Sequence, residues 1–198
     1  KVSDKIGVIE NLSTKVDAIL IGGAMAYTFL KSQGIYVGKS LVEEDKLDLA
    51  RDIMKKTGKI QFLLPIDHII ADKVDSDANV EETKGIEIKG GWFGVDIGST
   101  TITKYNSVIK SAKTIVLNGP MGVFEIDKFA AGTNAVVKAI ADATGKGAVS
   151  IIGGGDSVSA VKKAGLFNNV SHISTGGGAS LEFLEGLELP GIAALKAK

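Results

Sequence analysis

The chain has 198 residues, 44% of them hydrophobic and 23% charged, which is enough for one compact domain with a real core. Its 23 basic and 23 acidic residues cancel, excluding the broad positive field that nucleic acid or an anionic membrane surface requires. Cysteine is absent and there are two histidines, so disulfides and thiolate metal centres are excluded and any metal meets oxygen ligands.

Glycine is in excess, with 25 residues against a usual share of about 7%, so backbone-defined turns and anion loops are expected. Neither an apolar run long enough to span a membrane nor a basic segment followed by an apolar one occurs, and a cytoplasmic location is the expectation. Lysine rather than methionine at position 1, with a helical pattern beginning at once, points to a piece of a longer chain. Arg51 is the single arginine.

In chain order, Ile6, Ile9, Leu12 and Val16 recur at three and four residues, which predicts an amphipathic helix over residues 3–16 with Ser3 as N-cap. Residues 17–21 form a short apolar run that ends in Gly22-Gly23, and residues 24–32 read as a second helix. Residues 41–56 carry helical spacing with mixed charge. Apolar runs at 61–66 and 68–71 are separated around Pro65 and Asp67, and the alternation over 80–89 predicts a short antiparallel excursion. Four more strands follow. Residues 95–97 precede Gly98 and a helix to Ser111; 114–117 precede Asn118-Gly119-Pro120; 149–152 precede Gly153-Gly154-Gly155-Asp156; and 170–173 precede Ser174-Thr175-Gly176-Gly177-Gly178.

Strands alternating with helices imply right-handed crossovers, hence an α/β, three-layer, Rossmann-like fold whose mainly parallel sheet is covered by helices on both faces. In such a sheet ligands bind beyond the carboxyl ends of the strands, where glycine here recurs beside polar or acidic residues. At Gly153 to Ser157 the glycines permit close backbone approach, the helix that follows (158–165) offers free N–H groups, and Asp156 supplies an oxygen suited to magnesium. The same residues also suit a plain strand-to-helix turn capped by Asp156 or Ser157. The run Gly176 to Gly178 has no acid within it and is the better anion cradle, or else a turn with Ser180 as cap and Glu182 in the first helical turn. Lys1 and Lys5, four apart, share a face of the first helix, commonly a solvated one. Glu125 is able to accept from ribose hydroxyls or to solvate a loop. Trp92 packs a core edge or flanks a base pocket. His68 and His172 fall within strands and take structural roles.

Together the segments Lys1 to Lys5, Gly22 to Ala26, Gly91 to Gly98, Val116 to Glu125 (VLNGPMGVFE), Gly153 to Ser157 and His172 to Glu182 resemble the C-terminal domain of the phosphoglycerate kinase family, over essentially the whole chain and in the family's order. That resemblance implies the nucleotide half of a two-domain, monomeric kinase that moves a phosphoryl group between 1,3-bisphosphoglycerate and ADP, giving 3-phosphoglycerate and ATP. It implies that Gly23, Leu41, Gly94, Pro120 and Val123 line an adenine slot, that Gly22 binds the nucleotide by close backbone approach, and that Asn118 and Glu125 lie near the ribose. It further implies that Gly154, Gly155 and Ser157 meet the phosphates, that Asp156 holds the nucleotide's Mg2+, and that Lys1, Lys5 and the N–H groups of Gly176, Gly177 and Gly178 stabilise the group in transfer. The chain lacks the Gly-Gly-Ala that precedes the lysine pair in the family and has Ala24 at what is often a third glycine. The family's arginine-rich N-terminal half, which grips 3-phosphoglycerate, is expected to be absent, in keeping with one arginine. The segment Ile192 to Leu195 is then expected to be exposed or rearranged. A nucleotide-binding module without catalytic role, and a structural domain using the fold only, are the alternative readings.

Overall fold

A computed structural model describes residues 1–58, 60–174, 176–190 and 193. Two parallel ladders carry the architecture. Strands β1 (Ala18–Leu20) and β2 (Gln61–Leu63) pair in one, with Ala18 opposite Gln61. In the other, β7 (Val149–Gly153) lies between β6 (Thr114–Asn118) and β8 (His172–Ile173). A third ladder is antiparallel, with β3 (His68–Ala71) between β4 (Val80–Glu82) and β5 (Phe93–Ile97). The antiparallel excursion is therefore present at β4. The strand at 93–97, read from its apolar run as one of the parallel set, instead runs antiparallel to β3, because a local run carries no information about its partner.

Helices α2 (Ala24–Ser32) and α3 (Leu47–Lys56) bury Ala26, Phe29, Ala50 and Ile53 against Ile21 and the side chains of Ile19 and Phe62. The largest core lies between α4 (Ser99–Ser111), α5 (Ala131–Gly145) and β6-β7-β8, where Tyr105, Ile109, Val136, Val137 and Ile140 meet Leu117 and Ile152. Successive strand residues face opposite sides, and α7 (Gly177–Leu184) lies on the other face, with Ser180 beside Gly153. Eight residues make a helix about 12 Å long, so α7 covers only one end of that face, and Val116 and Val149 remain 41% and 50% exposed.

Long-range hydrogen bonds draw the carboxyl ends of the strands together. The buried Tyr105 hydroxyl reaches the carbonyls of Ile21 at 2.6 Å and Leu63 at 3.0 Å, while the Gly23 N–H donates to Met121 O at 2.9 Å. Asp67 caps α4 from outside it, accepting from the Thr100 and Thr101 N–H groups at 2.8 Å each. Burial acts to raise the Asp67 pKa, but hydrogen bonds from Thr101 and Thr100 outweigh it and hold the carboxyl below its ordinary value.

Several local expectations need correction. The first helix is α1 (Ile6–Leu12), preceded by Lys5. Ser3 does not cap it, since its hydroxyl donates to Glu43 at 2.6 Å, and Lys1 and Lys5 consequently do not share a helix face. The helix read over 41–56 is a short 3-10 turn (Glu44–Lys46) followed by α3. Helix α6 (Gly155–Lys163) starts three residues earlier than expected, after Gly154, whose φ of 87° only glycine adopts readily. Asp156 and Ser157 thus lie inside it rather than capping it. Helix α7 starts within the glycine run, so the Ser180 hydroxyl turns back to donate to Gly176 O at 2.8 Å and Glu182 lies beyond the first turn. Ile192, Ala194 and Leu195 lie outside the described residues, and so does Thr175. Ala193 donates its N–H to Leu189 O at 2.9 Å.

Candidate functional site

Where the strand ends converge there is an open cleft of about 570 Å³. Ten of the residues singled out from the sequence line it: Lys1, Lys5, Gly22, Gly23, Leu41, Gly94, Asn118, Pro120, Val123 and Asp156. The chain reaches this arrangement through glycine. Gly23 has φ of 66°, which lets β1 turn into α2, and a Cβ there would lie 3.1 Å from Pro120 O. This joins the β1 end of the cleft to the β6 end.

One end of the cleft is polar. Lys5, half-buried, hydrogen-bonds to Asn118 Oδ1. Burial lowers the Lys5 pKa, opposed by the charges of Asp4, Glu185 and Asp156, and among the described residues no single carboxylate pairs with its ammonium. Asn118 Nδ2 is buried without a hydrogen-bond partner among the described residues and lies beside Gly153 and Gly154. Asp156, exposed in the first turn of α6, reaches the cleft, and the first N–H groups of that helix have no partner within it.

The other end is apolar. The Gly94 N–H donates to Ser40 Oγ at 2.9 Å, which sets exposed Leu41 beside Gly94. The Val123 N–H donates to Val95 O at 2.8 Å, and Phe93 and Val74 complete the lining. Tyr27, from α2, closes the floor. Trp92 does not line the cleft; it packs on the core beside Ile88, with the Lys89 ammonium 3.8 Å from its ring centre.

Not every expected residue is brought in. The Glu125 side chain is exposed and does not line the cleft, while its carbonyl accepts from Lys163 Nζ at 3.2 Å. Ser157 is buried, and its hydroxyl accepts the Gly119 N–H at 2.6 Å, bracing the cleft rather than facing it. Gly154, Gly155, Gly176 and Gly178 do not line the cleft, although Leu181 of α7, the helix that begins at Gly177, does. Sequence reasoning missed Asp4, Tyr27, Met121 and Asp96. Asp96 lies fully buried beneath the floor, accepting from the Gly132 N–H at 2.6 Å and the Ile97 N–H at 2.9 Å. Burial nevertheless pushes its carboxyl up to about 7. The one signal for Tyr27 was its position four residues after Gly23, on the helix that starts at the glycine turn.

Glycine turns and an acid at the ends of parallel strands, with a lysine nearby, occur in many nucleotide sites, and likeness over the whole chain separates them. Residues 1–187 match phosphoglycerate kinase. The chain belongs to the phosphoglycerate kinase family. Phosphoglycerate kinase from Chloroherpeton thalassium is 57% identical over 98% of this chain and 50% of its own length, and cytosolic phosphoglycerate kinase from Nicotiana tabacum is 58% identical over 98% and 49%. Among solved structures, phosphoglycerate kinase from Coxiella burnetii superposes with a TM-score of 0.93 at 44% identity, covering 98% of this chain and 50% of that one. Phosphoglycerate kinase from Pyrococcus horikoshii gives 0.82 at 34% identity, over 99% and 49%. The chain spans about half the length of the phosphoglycerate kinases it matches.

Proposed function

We propose that this chain is the ADP/ATP-binding half of a cytoplasmic phosphoglycerate kinase. The observation that carries the reading is the meeting of Lys5, Asn118 and Asp156 at one end of a cleft whose other end is an apolar slot. A base needs flat apolar surface, and a polyphosphate needs cations and N–H groups. The unpartnered Asn118 Nδ2 supports a ligand oxygen or ring nitrogen as its acceptor.

In the reaction, an oxygen of the ADP β-phosphate attacks the acyl phosphorus of 1,3-bisphosphoglycerate. The bond from that phosphorus to the carboxyl oxygen breaks, and 3-phosphoglycerate leaves as the carboxylate. Charge spreads over the equatorial oxygens of a loose transition state, so catalysis is mostly positioning and electrostatic stabilisation. Lys5 would supply positive charge from a partly desolvated position, with Lys1 at the mouth of the cleft and the first N–H groups of α6 and α7 oriented on the phosphates. Among the described residues no group of three or more His, Asp or Glu is arranged to hold a metal. The fit is therefore to a magnesium held by Asp156 together with phosphate oxygens and water, as this ion prefers. Bound there, magnesium would neutralise phosphate charge.

Aligning two substrates is worth an effective molarity of about 10⁵ M or more, and the cleft is read here as holding one of them, the nucleotide. We expect nucleotide binding with negligible turnover, and transfer restored when the complementary half is supplied. A coupled assay of the purified chain, alone and with that half added, tests this. Rapid turnover by the chain alone would overturn it.

A further inference from the structure

The polar side chains that line the cleft divide unevenly. Lys1, Asp4, Lys5, Asn118 and Asp156 belong to the polar end, leaving Tyr27 alone among Leu41, Phe93, Gly94 and Val123. Tyr27 is 5% exposed, and its ring is fixed from two sides. The His68 ring lies 5.6 Å away at 52°. At Gly94, a Cβ would fall 2.3 Å from both Cζ and Oη of Tyr27, so the phenol end fills the space a side chain at 94 would need.

The hydroxyl held this way has no hydrogen-bond partner among the described residues, in contrast with Tyr105, whose hydroxyl reaches two carbonyls. Because Tyr27 lines the open cleft, a base that seals its hydroxyl from water must give it a partner, and leaving it unpaired in that complex would cost about 1–3 kcal/mol. Burial and the charge of Asp96 raise the Tyr27 pKa, which keeps the phenol protonated and able to donate. A nucleotide base entering an apolar slot faces the complementary difficulty, because its ring nitrogens and exocyclic group lose water and go unpaired unless the slot answers them.

We propose that the Tyr27 hydroxyl is a specificity-determining contact that hydrogen-bonds the polar edge of the nucleotide base, with Gly94 required to seat the ring. This rests on the nucleotide reading of the cleft and deepens it. Tyr27 reads the base and leaves the phosphates to Lys5 and Asp156, so its removal affects only ligands that carry a base.

The test is calorimetric titration of the wild-type chain and Tyr27→Phe, which keeps the ring, with MgADP and with magnesium tripolyphosphate. The variant is expected to bind MgADP about 2- to 10-fold more weakly, the worth of one hydrogen bond, and tripolyphosphate equally well. A series of ADP analogues each lacking one ring nitrogen or the exocyclic amine provides a second measurement that needs only wild-type protein for its first half. One analogue should lose a similar factor on wild type and nothing further on the variant, the non-additivity expected of a direct contact. Equal MgADP affinity in the two proteins, or equal loss for both ligands, would overturn the Tyr27 contact while leaving the nucleotide site standing. Failure of the folded wild-type chain to bind MgADP would overturn the nucleotide reading and this contact with it.

Discussion

Two buried groups on neighbouring strands of the antiparallel ladder oppose each other in pH, which makes His68→Phe an informative perturbation. His68 sits opposite Ile97, next to Asp96. Burial depresses its pKa to about 4, against the hydrogen bond to Ile86 O and the charge of Asp67, while burial raises Asp96 to about 7. A depressed histidine contributes stability that is present above its unfolded value of 6.5 and is lost as pH falls towards 4. A raised aspartate contributes stability that is present below its unfolded value of 3.8 and is lost as pH rises towards 7. Over roughly pH 4.5 to 7.5 each is worth about 3 kcal/mol at 1.36 kcal/mol per pH unit, with opposite sign.

Their contributions cancel in the wild-type chain, whose unfolding free energy should therefore vary little across that window. His68→Phe keeps an aromatic ring against Tyr27 and removes one of the two opposing slopes. Its stability should fall by about 3 kcal/mol as pH rises, and that of Asp96→Asn should rise by about as much. Urea unfolding at half-unit pH intervals reads all three curves. Parallel curves, offset by a constant, would refute the opposition of the two groups.

Gly94→Ala places a methyl 2.3 Å from the Tyr27 phenol and should cost about 1–3 kcal/mol by overpacking, seen as a lower melting temperature, together with weaker MgADP binding. Asp67→Ala leaves two α4 N–H groups without their acceptor and the Thr101 hydroxyl with only the longer bond to the residue 67 carbonyl, and should cost about 1–3 kcal/mol at neutral pH. Because the Asp67 carboxyl is held below its ordinary value, that stability is present above about pH 4 and lost below, so wild type and variant should converge in acid denaturation.

Those features that depend on short stretches of backbone were legible in the sequence. Gly22-Gly23 and Gly153 to Asp156 identify strand-to-helix turns because only glycine supplies the conformations found at Gly23 and Gly154. Features set by distant partners were not. Ser3 has the residue type of a cap, but Glu43 takes its hydroxyl. Ser157 faces Gly119 instead of the cleft. Lys163 holds the carbonyls of Phe124 and Glu125, and the Glu125 side chain stays out in solvent. Tyr27 and Asp96 were invisible for the same reason: each reads locally as one residue of a helix or strand, and its environment is made by Gly94, Gly122 and Gly132 arriving from elsewhere in the chain.

Calorimetric titration of the chain with MgADP, beside Asp156→Ala and beside ADP without magnesium, tests the nucleotide site most directly. Saturable one-site binding is predicted, weakened about 10- to 100-fold in the variant, as for a lost charged contact, and weakened likewise without magnesium. A folded wild-type chain that does not bind MgADP, or a variant that binds it equally well, would contradict the account.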